Sequence, residues 1–164
     1  MLKSYPIVPL SFSDLPVVLE VYRQCEDFLA LGPVATASEQ MVRQDMEHAV
    51  RAGSLFCGIY NEAGDMMGIV DYLAQGFEGN PQYAFIELLM IAQPYRTQGV
   101  GTAVVDYVET EVRRNPDVTA ILSGTAVNNP VAIRFWQRRG YRIVGEPKVY
   151  PDNQQGFDLR KDLV

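Results

Sequence analysis

One stretch limits what this chain can build more than any other. Ala84 to Ile91 is apolar, Ile91 to Thr102 reads I-A-Q-P-Y-R-T-Q-G-V-G-T, and Thr102 to Glu109 continues as T-A-V-V-D-Y-V-E. The first part has the character of a buried strand, and the last has the apolar spacing of a helix. A strand, a glycine-bearing loop and a helix start in that order build an anion site. The first N–H groups of the helix have no intrahelical acceptor, and the helix dipole favours negative charge there. Gly99 and Gly101 carry no Cβ to bar the approach, and Arg96 adds forked donors that suit a phosphate. The plainer reading of the same residues is a strand-to-helix turn that merely needs glycine.

Spacing excludes two common phosphate loops. The dinucleotide fingerprint G-x-G-x-x-G needs a small residue where Val104 stands, and a P-loop needs Gly-Lys-Ser/Thr where the chain has Gly101-Thr102-Ala103. The remaining pattern, R-x-x-G-x-G, resembles the acyl-CoA pyrophosphate loop of the GCN5-related N-acetyltransferases, the GNAT superfamily. Asn129-Pro130-Val131-Ala132-Ile133-Arg134-Phe135-Trp136-Gln137-Arg138-Arg139-Gly140-Tyr141 resembles that family's second signature, in the family's order and roughly thirty residues on.

Composition fits one domain over residues 1–164, with 48% hydrophobic residues available for a core. No apolar run is long enough to span a bilayer and no secretory leader is recognisable, so a cytoplasmic protein is expected. Cys25 and Cys57 sit among apolar neighbours and are read as reduced core residues, and no Cys/His spacing suggests a metal. A net charge of −6 argues against nucleic acid and mildly favours a cationic partner. The partners the chain admits include a second copy of itself, as a homodimer.

Periodicity and breakers predict an edge strand over 5–12, a helix from Leu15 toward Gly32-Pro33, and a second helix capped by Thr36 or Ser38 and ending near Gly53. Strands follow over 54–60, 66–74 and 83–91, the first two joined by a hairpin at 61–65. A helix from Thr102, a strand over 118–127, a helix after Asn129 closing on Gly140-Tyr141 and a hairpin of 141–149 with 156–163 around Pro151-Asp152-Asn153 complete the chain. The order is that of an α+β fold, and the resemblance implies a mixed, mostly antiparallel central sheet flanked by about four helices.

The resemblance also implies a chemistry: an amine attacks the thioester of acetyl-CoA directly, in a ternary complex, with a base to take its proton and an acid for the thiolate. The backbone of Leu89, Met90 and Ile91 would hold the pantetheine arm. Arg96, Thr97, Gln98, Gly99, Val100, Gly101 and Thr102 would hold the pyrophosphate. Asn129, with Ala132 and Trp136 beside it, would meet the arm further along. Glu87 is the base candidate, because it is the one charge between Ala84 and Ile91 and strand alternation puts it on the face of Leu89 and Ile91. Asp71 is second, by the same logic. The family's tyrosine slot, four residues after Ala132, holds Trp136, whose indole is too weak an acid. Tyr141 reads as a core residue and the lone His48 as a satisfied or solvated helix position. Phe77, Tyr83 and Phe85 either line a substrate pocket or pack. The reading is an N-acetyltransferase acting on a small-molecule or peptide amine; the alternative is a catalytically silent acyl-CoA-binding or sensor domain.

Overall fold

In the computed structural model, residues 3–150 and 153–163 are described, and they run β1 (Ile7–Pro9), α1 (Leu15–Arg23), α2 (Glu26–Leu29), α3 (Glu39–Ala52), β2 (Leu55–Tyr60), β3 (Met66–Leu73), β4 (Tyr83–Ile91), α4 (Val100–Arg113), β5 (Ala120–Ala126), α5 (Pro130–Arg138), β6 (Arg142–Val149) and β7 (Gln155–Asp162). The strands form one sheet in the order β1-β2-β3-β4-β5-β7-β6. Every pairing is antiparallel except β4 with β5. Of the expected final turn, Pro151 and Asp152 lie outside the described residues.

Helices cover both faces. Val100, Val104, Val105, Val108 and Val112 of α4 pack with Trp136 against Val70, Ile86 and Ile121. On the opposite face, Val18 and Tyr22 of α1 and Val42 and Met46 of α3 pack against Phe56, Ile69 and Met90. Cover on both sides is why β3 reads as an almost unbroken apolar run, with seven of its eight residues buried. At α3 the caps follow the sequence: Ser38 Oγ accepts from Met41 N–H at 3.1 Å, and Gly53 closes the helix at φ 74°.

Two boundaries differ from expectation. The first helix does not run on to Gly32-Pro33 but stops at Arg23 and restarts as the single turn α2. The carbonyl of Gln24 accepts instead from Gln93 N–H at 3.3 Å, so a contact distant in sequence interrupts the helix and adds a fifth one. β1 is shorter than 5–12, because the chain bends into a 3-10 turn at Phe12–Asp14.

Cys25 and Cys57 are buried and unbridged. Glu109 of α4 is 4% exposed and accepts from Tyr141 Oη at 3.1 Å and Lys161 Nζ at 2.8 Å. Lys161 also donates to the Arg139 carbonyl at 2.8 Å, so one satisfied polar network ties α4 and the end of α5 to β7.

Candidate active site

β4 and β5 are bonded only from Tyr83↔Ala120 to Ile86↔Ser123. Beyond that point β4 continues with β3 as far as Ile91, while β5 continues with β7 as far as Ala126. The two central strands therefore part and leave two unpaired edges facing each other. Ala92 N–H donates to the Met67 carbonyl at 2.8 Å. By the two-residue period of a strand, the backbone groups of Met90 also face β3, and those of Leu89 and Ile91 face the open edge. The Ile91 carbonyl is taken by Arg96 Nε at 2.8 Å. Of the three residues expected to offer backbone groups, Leu89 is the one whose pair lies free for a ligand.

The register also shifts here. Asp71 pairs with Leu88 and Tyr72 with Ile86, which makes Glu87 the extra residue of a β-bulge. The bulge resets the alternation: Ile86, Leu89 and Ile91 all pack toward α4 and α5, whereas Leu88 and Met90 pack toward α1 and α3. Glu87 is thus not on the face of Leu89 and Ile91. Its carboxylate turns to α3 and lies 3.8 Å from His48 Nε2, with the two side chains 44% and 55% exposed. Glu87 is thus partly covered, and His48 is a helix position satisfied by this pair.

Arg96 differs from expectation as well. Both terminal nitrogens bind Asp27, Nη2 at 3.0 Å, which holds that carboxyl below the usual carboxylate range. The fork assigned to a phosphate instead fastens α2 to the loop. What the loop leaves to face an anion is backbone. Gly99 caps α4 at φ 79° with open space where a Cβ would be, and the first turn of α4 holds no acidic residue. Gly101 serves packing too, since a Cβ there would lie 3.4 Å from the Phe135 ring. Of the other loop residues, Thr97 Oγ1 bonds the Arg96 carbonyl, Gln98 Nε2 the Pro94 carbonyl, and Val100 is buried in the core.

Asn129 caps α5, its Oδ1 accepting from Ala132 N–H at 3.1 Å. Trp136 is 6% exposed and meets Phe135 and Tyr141 edge-on, so it packs as well as lining the cleft. Tyr141 is bound to Glu109, and burial pushes its phenol far up. Neither can protonate a thiolate. The phenol that does line the cleft is Tyr150, at the end of β6. Its ring lies over β7 and β5: a Cβ on Gly156 would stand 2.6 Å from its Cε2, and one on Gly124 would stand 3.7 Å from its hydroxyl. Gly124 follows Ser123, the last residue of β5 bonded to β4. Glu87 and Tyr150 therefore flank the point where the strands part.

The cleft encloses about 1070 Å³ and joins the gap at Leu88, Leu89 and Asn129 to a chamber walled by α3, the α2–α3 loop, and Phe77 and Phe85. Tyr83, by contrast, bonds Arg160 at 3.3 Å and stays outside that lining. Asp71 does not line it either. It is 2% exposed and accepts from Ser54 Oγ at 2.6 Å; burial pushes its carboxyl up to about 6, with the Glu87 charge adding and the Ser54 bond opposing. The folded state thus holds this proton more tightly than the unfolded chain. Its penalty grows as pH rises from about 4 through about 6 and is complete above that. Asp71→Asn is expected to stabilise the protein by up to about 3 kcal/mol at pH 7.5 and by nearly nothing at pH 4, read from denaturant midpoints. An equal effect at both pH values would refute the shift.

The sequence matches the Acetyltransferase (GNAT) family over residues 18–141. Comparison with curated protein sequences returns no match. Among solved structures, an acetyltransferase from Thermus thermophilus superposes with TM-score 0.82 at 17% identity, covering 98% of each chain. A ribosomal-protein-alanine N-acetyltransferase from Brucella melitensis gives 0.71 at 20%, covering 96% of this chain and 99% of that one. A Salmonella typhimurium protein described as an acetyltransferase and solved with its cofactor acetyl-CoA gives 0.70 at 15%, covering 99% and 95%. At these identities the structural matches speak for the fold, and the family match over three quarters of the sequence carries the assignment: the chain belongs to the GNAT acetyltransferase family.

Proposed function

We propose that the protein is an acetyl-CoA-dependent N-acetyltransferase that moves the acetyl group to a primary amine by direct attack in a ternary complex. The observation that carries this reading is the meeting of the gap beside Leu89 with a chamber containing Glu87. The residues fit the donor. Free backbone groups at Leu89 suit the amide-bearing arm, and the acid-free N-terminus of α4 beside Gly99 suits a pyrophosphate. Asn129 keeps its amide NH₂ for the arm, because its cap uses only Oδ1. When bound, acetyl-CoA supplies an activated acyl carbon and a good leaving group.

Glu87 then takes the proton that the amine must lose, directly or through one water, and His48 beside it steadies the carboxylate. Tyr150 holds the proton for the departing sulfur, in place of the family tyrosine that Trp136 replaces. The test is release of free CoA thiol against a panel of amines, with amine-dependent release expected. Bound acetyl-CoA with no release for any amine would instead favour a silent binding domain. Tyr150→Phe, which removes only a hydroxyl, is expected to lower kcat roughly 10- to 100-fold with acetyl-CoA affinity unchanged. An unchanged kcat would leave that proton to water.

A further inference from the structure

α3 turns Met41, Gln44, Asp45 and His48 toward the chamber, the spacing of one helical face. Asp45 is braced by Tyr22 Oη, which donates at 2.7 Å, and stands beside His48. With Glu87 opposite, the charged side chains on the described lining are two carboxylates and one histidine, and no Lys or Arg lies among them. His48 adds no free cation even when protonated, because Glu87 is its partner. Uncharged polar residues such as Ser38, Gln40 and Gln44 share the wall, and the larger part of it is apolar. Phe77 and Phe85 stack at 4.0 Å and 9°, and Phe28 of α2 lines it together with Leu31 and Val34 of the α2–α3 loop. At that end Gln154, from the β6–β7 hairpin, donates to the Leu31 carbonyl and ties the two rims together, which bounds the length of any occupant.

An ammonium entering this chamber finds acceptors. A free α-amino acid brings a carboxylate that finds no cation and two like charges. A polyamine brings a second cation that must desolvate against stacked rings and aliphatic side chains. We propose that the acceptor is a small primary amine with an aromatic or branched apolar body and no carboxylate near its nitrogen. This rests on the transferase reading above and narrows it to a class of substrate.

The test is calorimetric binding of 2-phenylethylamine, phenylalaninamide and phenylalanine to the CoA-saturated protein, three probes with one ring and differing charge. The first two are expected to bind. Phenylalanine should bind at least about 30-fold more weakly, the size of one like-charge contact at roughly 8 Å in a medium of effective dielectric about 20. Phenylalanine binding as tightly as its amide overturns the proposal, as does no binding by any of the three. Tighter binding of spermidine than of 2-phenylethylamine removes the apolar body. Tighter binding of a pentapeptide beginning with phenylalanine replaces the small amine with a peptide N-terminus. Because binding is read without turnover, the transferase reading fails separately, when acetyl-CoA binds and no amine releases thiol.

Discussion

Thr102→Glu is expected to weaken acetyl-CoA binding roughly 100-fold while leaving thermal stability unchanged or slightly higher. Thr102 is the third residue of α4, inside the turn whose N–H groups point out of the helix. A carboxylate roughly 6 Å from a pyrophosphate, in a medium of effective dielectric about 20, costs the anion about two decades of affinity. The same carboxylate in the first turn of a helix interacts favourably with the helix dipole, by about 0.3 to 1 kcal/mol. The two readouts therefore move in opposite directions, which no general loss of structure can imitate. Gly101→Glu would be a poorer test: its Cβ would press on Phe135, and lost affinity could not be separated from lost packing. Calorimetry giving the same Kd for Thr102→Glu and wild type would move the anion away from α4.

Glu87→Gln is expected to lower kcat roughly 100- to 1000-fold, the span associated with a lost general base, with acetyl-CoA affinity intact. Glutamine keeps the size of the side chain and a contact to His48 but cannot accept the amine proton. The side chain is 44% exposed and sits in a bulge, so stability should change by less than about 0.5 kcal/mol. Rate–pH profiles for two amines of different basicity separate enzyme from substrate. A limb belonging to Glu87 stays in place and vanishes in the variant, while a limb belonging to the amine moves with the amine. Full activity in Glu87→Gln would pass the proton to Asp45, His48 or water, since these reach the cleft and Asp71 does not line it.

Features governed by near neighbours in the chain were legible. The strand Tyr83–Ile91 matches its apolar run end to end, because both of its faces are covered. Ser38 and Gly53 mark α3 because capping and positive φ are local chemistry. The glycine loop leading into α4 was legible for the same reason. What escaped depends on partners far away in sequence. The bulge that turns Glu87 toward His48 is a register shift against β3, invisible in β4 alone. The partner of Arg96 is Asp27, 69 residues earlier. Tyr150 has no motif around it, and its position follows from glycines on two other strands. Gly124 opposite Asp158 and Gly156 opposite Ala126 lie diagonally across the β5–β7 ladder and leave room for the ring, a signal that needs the β5–β7 register to be seen.

The parting of β4 from β5 divides the sheet into two leaves, β1 to β4 on one side and β5, β7 and β6 on the other, hinged on four residue pairs. The amine chamber borrows from both. Glu87, His48 and Phe85 travel with the first leaf, and Tyr150 and Gln154 with the second. A donor held by Leu89 on one leaf and by Asn129 on the other would act as a staple across the hinge. Such a staple would favour the order donor before acceptor, and acetylated product out before CoA.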